Sequence, residues 1–169
     1  MRFKQFTMLM LVALLSFFSL HNPASASTAF QDVPKTSGAY EEINFLVDKK
    51  VISGYKEKGK QYFKPNNYVT RGQAAKMVVV ATGNTGLKVN KSSFDDIKTT
   101  QEVSLYAERV LSKGWFQYTS GKSFSPNMVV SRMEMAKIIS NAYGLDVKQY
   151  ADVELPFKDV EKSSMYYKY

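Results

Sequence analysis

Cysteine is absent from this 169-residue chain, and histidine occurs once, at His21. Without cysteine there is no disulfide framework, so stability must come from apolar burial, which this length supplies only for a modest core. Long apolar runs are scarce as well. The longest, residues 8–20, falls short of the ~20 residues that a membrane-spanning helix needs. Arg2 and Lys4 precede that run and Pro23-Ala24-Ser25-Ala26 follows it, the basic, apolar, small-residue order of a secretory signal peptide. Residues 1–26 are therefore read as a signal peptide cut after Ala26. The remainder is expected to be exported and soluble, with no membrane attachment after cleavage. It also loses His21, which excludes histidine-based triads, cysteine nucleophiles and ordinary zinc sites. No cofactor is expected.

Positive charge is plentiful. The formal net charge is +8, or +6 once Arg2 and Lys4 are gone. Nucleic acid is set aside as a partner, because the signal peptide sends the chain out of the cell. Lys49, Lys50, Lys56, Lys58, Lys60, Lys88 and Lys91 are also scattered over several segments and form no single stripe. Such a balance keeps a protein soluble and draws it toward acidic material outside the cell, such as an anionic wall polymer.

An internal repeat organises the rest. Phe30-Gln31-Asp32-Val33 returns as Phe94-Asp95-Asp96-Ile97 and again as Phe157-Lys158-Asp159-Val160, with 64 and then 63 positions between the aligned aspartates. Phe63, Pro65 and Arg71 return as Phe124, Pro126 and Arg132, 61 positions on, so the second copy is three residues shorter in its middle loop, residues 56–62 of the first. Each copy reads as two helices. The first spans residues 39–50, with Ile43, Leu46 and Val47 on one face, matched by Ala107, Val110 and Leu111. Thr99 and Glu102 have capping-box spacing in the second copy, and Gly54 and Gly114 lie where these helices should stop. Turn-like segments around Pro65 and Pro126 follow, with short extended pieces beside them.

The second helix of each copy has a fuller signature. Thr70 with Gln73, and Ser131 with Glu134, form capping boxes, and Val69 and Val130 precede them as staples. Ala74, Met77, Val78 and Ala81 map onto Met135, Ile138, Ile139 and Ala142 as a packing stripe, and Gly83 and Gly144 close it. Arg71 and Arg132 stand at the first helical position, beside the positive end of the helix dipole, where a cation is disfavoured by ~0.3–1 kcal/mol. Something acidic is expected there.

These residues resemble the S-layer homology (SLH) domain, a bacterial surface repeat. Its F-x-D-V opening matches Phe30/Asp32/Val33 and Phe94/Asp96/Ile97. Its G-I-x-x-G-Y segment is similar to Val51-Ile52-Ser53-Gly54-Tyr55 and Gly114-Trp115-Phe116, and its F-x-P to Phe63-Lys64-Pro65 and Phe124-Ser125-Pro126. Its closing I-T-R-A-E is similar to Val69-Thr70-Arg71-Gly72-Gln73 and Val130-Ser131-Arg132-Met133-Glu134. The departures are Gly72-Gln73 for A-E, Tyr118 for the later glycine, and Gly38 and Glu102 where the family often has tryptophan. The resemblance implies a mainly α fold of tandem helix–loop–helix repeats, three of them forming a pseudo-threefold bundle with grooves between neighbours. It divides the chain into repeat 1 (27–83), a linker (84–93), repeat 2 (94–144), a linker (145–156) and the start of a truncated repeat 3 (157–169).

The resemblance also implies a non-catalytic anchor at the cell surface, binding acidic secondary wall polysaccharide attached to peptidoglycan. It assigns the binding arginine to Arg71 and Arg132, and the acidic first-helix region to Asp32, Asp96 and Asp159. Tyr55, Trp115, Phe116 and Tyr118 follow the first helices and could lie against a sugar ring, although buried packing is the commoner fate of such aromatics. Phe30, Phe94 and Phe157 are expected in the core. An arginine at a helix start offers a charged fork beside backbone N–H groups, which suits a carboxylate. The competing reading pairs each arginine with a nearby aspartate, Asp32 or Asp96, as a staple within the repeat. Self-association that completes the third repeat is a further expectation, as is a chain that is the anchor fragment of a larger surface enzyme. A carboxylate-dependent wall glycosidase needs neither histidine nor cysteine and stays as the enzymatic alternative, with Asp95-Asp96 as its seed.

Overall fold

A computed structural model describes residues 30–169; the signal-peptide reading lies outside them. The fold is mainly α, as expected. Helix α1 (Tyr40–Asp48) leads to a small hairpin of β1 (Tyr55–Glu57) and β2 (Lys60–Tyr62), then α2 (Arg71–Ala81), α3 (Val103–Ser112), α4 (Arg132–Ala142) and a 3-10 turn at Lys148–Tyr150. Among the described residues no helix is long and apolar enough to cross a membrane.

The hairpin forms where the first repeat carries its three extra residues. Lys58 and Gly59, both at positive φ, make the two-residue connection whose twist suits an antiparallel pair. The shorter second loop makes only a bridge between Ser120 and Ser123. Glu57 pairs with Lys64, whose ammonium also lies 4.9 Å from the centre of the Tyr55 ring. The Glu57 hydrogen bond raises the Lys64 pKa.

The first helices end as anticipated, but by different residues. Gly114 takes the left-handed position after α3 at φ 70°. Its counterpart after α1 is Lys50, at φ 59°, and not Gly54. Gly54 instead makes room for its neighbours, since a Cβ there would run into the Phe30 ring and sit 2.6 Å from the Tyr62 carbonyl oxygen. The capping box expected from Thr99 and Glu102 is not formed. Glu102 instead faces the other repeat, accepting from Lys76 Nζ at 2.8 Å and from Tyr106 Oη at 2.9 Å.

Both second helices start with complete capping boxes and end at Gly83 and Gly144 in the left-handed region. Their buried faces differ from the single stripe expected. On α2 the buried side chains are Arg71, Ala74, Ala75, Val78 and Val79; Met77 is half-buried and Ala81 exposed. The cause is that α2 packs on two helices of the next repeat, broadly on α3 and more narrowly on α4. On α4 Ile138 is buried, whereas Ile139 is 45% exposed.

The larger core lies across the boundary between the repeats. It joins Ala74, Ala75, Val78 and Val79 of α2 to Phe94, Ile97, Ala107, Val110, Trp115, Phe116, Phe124 and Ile138. A smaller cluster of Phe30, Val33 and Ile43 closes the first repeat. Phe30 and Phe94 are thus core residues as expected, but Phe157 is exposed. Among the described residues no loop phenylalanine follows it, the part that Phe63 and Phe124 play against Phe30 and Phe94.

Candidate functional site: the groove between the repeats

Helix α2 begins against the second repeat. The N–H groups of Arg71 and Gly72, which a helix start leaves without internal partners, donate to the carbonyls of Met128 at 2.8 Å and Pro126 at 2.9 Å. Val130 N–H donates to Val69 O at 2.9 Å and completes the seam. These N–H groups are therefore not open to an anion, contrary to the sequence expectation for Arg71.

The Arg71 side chain is 5% exposed and crosses the same boundary. Its Nε donates to Phe124 O and its Nη2 to Gln117 O, each at 2.8 Å. The guanidinium carbon lies 5.1 Å from the centre of the Phe116 ring and 4.9 Å from that of Phe124. Nη1 is 3.8 Å from Glu134 Oε1, beyond hydrogen-bond distance. Burial lowers the Arg71 pKa, opposed by the negative charge of Glu134, and a guanidinium stays protonated regardless. Arg71 joins the two repeats through carbonyls, with Glu134 3.8 Å away, whereas the competing reading paired it with an aspartate within its own repeat. The acidic partner expected beside this helix start is Glu134.

Arg71 also lines a groove of about 480 Å³. One side is the segment after α3, with Trp115, Phe116 and Tyr118; the other is α4, with Glu134, Lys137 and Asn141, and the chain end, with Tyr166 and Tyr169. Lys137 Nζ sits 5.7 Å from the centre of the Tyr166 ring. The groove thus combines two cations, one carboxylate, polar donors and aromatic surface, a set suited to an acidic, ring-shaped polar ligand.

The model of the S-layer homology domain family matches residues 29–75 and 93–136. The chain belongs to this family. The SLH chain is 33% identical over 138 residues to an S-layer protein of Bacillus thuringiensis subsp. finitimus and, equally, to the S-layer protein sap of Bacillus anthracis. Each match takes in 82% of this chain and 16% of the relative. A protein named as an uncharacterized cell wall amidase of Bacillus anthracis is 29% identical over 140 residues, 83% of this chain and 25% of its own. The SLH chain therefore spans a small part of the relatives it matches. Its location is the cell surface, that of S-layer proteins of this family.

The remaining residues expected at the site do not gather around this SLH groove. Arg132 is exposed at the start of α4, and its side chain makes no hydrogen bond among the described residues. Asp32 accepts from the backbone N–H of Phe63 at 2.8 Å and of Lys64 at 2.7 Å, and Asp96 accepts from those of Phe124 and Ser125 at the same distances. Both aspartates brace the loop before the second helix. Desolvation works to raise the Asp32 pKa, but the Phe63 and Lys64 N–H bonds and the Lys64 charge outweigh it, and the net shift is downward. Tyr55 lies on the first hairpin, where its hydroxyl accepts from Gln73 Nε2 at 2.8 Å. Of the expected residues Arg71, Trp115, Phe116 and Tyr118 meet in the groove, Trp115 being just 8% exposed. Asp159 is exposed near the chain end.

Glu134, Lys137, Asn141, Tyr166 and Tyr169 line the groove in addition to the residues that the sequence marks for it. A signal for the first three exists: they recur at i, i+3 and i+7 on α4, one polar face of a helix whose neighbouring face is apolar.

Proposed function

We propose that this SLH chain is a non-catalytic surface-anchoring module and that the groove between its repeats takes an acidic saccharide of wall polysaccharide attached to peptidoglycan. The observation that carries the reading is Arg71. Its Nε and Nη2 are spent on the fold, while Nη1 makes no hydrogen bond among the described residues and belongs to a guanidinium lining a groove with Trp115, Tyr118 and Tyr166. A carboxylate on a sugar would meet Nη1 and Lys137, and the ring faces offer the apolar contact that pyranoses favour. The paired aspartate seed of a glycosidase gains no support: both oxygens of Asp96 already hold backbone N–H groups. In the three relatives named above the matched part is 16–25% of the whole, which supports reading the chain as an anchoring module, and self-association with a neighbouring chain is the proposed source of a third repeat.

The test is sedimentation of the chain with purified bacterial walls, intact or stripped of secondary polymer. Retention on intact walls alone is expected. Lys137→Ala and Tyr118→Ala, which alter the groove without touching the Arg71 staple, should each weaken it. Equal retention on stripped walls would remove the polysaccharide assignment.

A further inference from the structure

Glu134 has two unlike surroundings. Its Oε2 accepts from the Ser131 N–H at 3.1 Å and serves the capping box of α4. Its Oε1 points across the repeat boundary toward Arg71 Nη1, too far for a hydrogen bond, and the side chain is a quarter exposed in the groove. Capping does not require the charge. The first repeat has Gln73 at the same position, and Gln73 makes the same reciprocal box with Thr70, at 3.0 Å to its Oε1. Nor does the Arg71 head depend on the charge for its place. Two carbonyls and two aromatic rings already fix it, and Glu134, a quarter exposed and 3.8 Å away, adds no hydrogen bond. What the carboxylate does change is the potential at the one open end of Arg71.

We propose that Glu134 is a specificity-determining residue of the groove: it stands in for a ligand's acid beside Arg71 and competes with it. This rests on the groove reading given above. An incoming carboxylate must approach Nη1 against the Glu134 charge, with Lys137 as the other charged side chain lining the groove. Attachment through this groove is therefore weakened for acids and left unaltered for neutral sugars. An SLH groove with glutamine at this position takes acids more tightly.

The chain's single tryptophan, Trp115, lines the groove, so its fluorescence reports occupancy. Galacturonic acid is titrated against galactose, its neutral counterpart, into the wild-type chain and Glu134→Gln. The variant should bind galacturonate on the order of tenfold tighter, the scale expected for removing one like charge a few ångströms away at a partly screened site. Galactose affinity and the thermal melt should not move, as the Gln73 cap predicts. Gln73→Glu places the same charge on a cap outside the groove and should leave galacturonate binding unaltered. Equal affinity in wild type and Glu134→Gln overturns the proposal and leaves the groove reading standing. Weaker binding in the variant also overturns it, since Glu134 would then be accepting from the ligand. If galacturonate moves the Trp115 signal in neither protein, the groove reading falls and this proposal with it.

Discussion

Arg71 donates from Nε to the carbonyl oxygen of Phe124, a 2.8 Å bond that spans 53 positions. It fastens the first turn of α2 to the loop of the next repeat, beside the largest apolar cluster among the described residues. The two repeats consequently share one core, and the side chain that family resemblance marks for binding is also a structural joint. A binding assay on Arg71 variants alone would confuse the two roles.

The joint predicts unequal costs at two equivalent positions. Arg71→Ala leaves the Phe124 and Gln117 carbonyls without donors and removes the cation from two ring faces, at about 3 kcal/mol by the usual penalty for buried unsatisfied groups. Arg132→Ala, at an exposed position, should stay within about 0.5 kcal/mol. Urea unfolding of both variants checks this; equal losses would show that Arg71 is not the joint.

How much of this was legible follows from where each signal resides. Caps, glycine stops and the order of helices are local, so Thr70, Gln73, Ser131, Glu134, Gly83 and Gly144 behave as the sequence pattern predicts. The difference between Arg71 and Arg132 is not local. The two hold the same place in their repeats, and only the loop that packs on Arg71 separates them. Glu102 illustrates the same limit: its spacing fits a cap, but an ammonium on α2 lies within reach and takes the carboxylate. Trp115 was legible as an aromatic after a helix, whereas Tyr166 and Tyr169 enter the groove by a return of the chain that no periodicity encodes.

Asp32 predicts an acid sensitivity. Its folded pKa lies below its ordinary value, since the Phe63 and Lys64 N–H bonds and the Lys64 charge together outweigh desolvation. A depressed carboxyl pKa contributes stability that is present above the unfolded pKa of about 3.9 and is lost as pH falls through the folded value. The loop before α2 should therefore loosen below about pH 3.9, seen as faster amide exchange at Phe63 and Lys64 relative to the α2 core. In Asp32→Asn those two amides should exchange fast already at neutral pH. Unchanged protection in that variant would dismiss the brace.

Gly54 and Gly83 share a positive φ but not their surroundings. Gly83→Ala meets nothing within 4 Å, so it should cost only the left-handed strain, about 1 kcal/mol. Gly54→Ala adds a collision with the Phe30 ring and the Tyr62 carbonyl, and overpacking of that kind costs about 1–3 kcal/mol more. Thermal melts of the pair measure the difference, and equal shifts would mean that Phe30 moves aside freely.

Gly72 and Met133 hold equivalent places in the two repeats, and exchanging them tests the boundary itself. Gly72 lies against the second repeat: an added Cβ would come within 3.1 Å of Val103 Cγ2 and 3.2 Å of the Pro126 carbonyl oxygen. Met133 is exposed, with no such wall beside it. Gly72→Ala gains about 1 kcal/mol of helix propensity and gives back a similar amount in crowding, for a net change near zero. Gly72→Met cannot fit without parting α2 from the Pro126 loop, which breaks the Gly72 N–H bond to Pro126 and loosens the Arg71 joint. A loss of about 1–3 kcal/mol is expected, with a red-shifted Trp115 emission as the shared core opens. Met133→Gly, at the exposed equivalent, should cost only the helix-propensity difference, about 1 kcal/mol, with Trp115 emission unmoved. If Gly72→Met leaves both stability and emission as they were, the close packing of the two repeats at this glycine is not what holds them together.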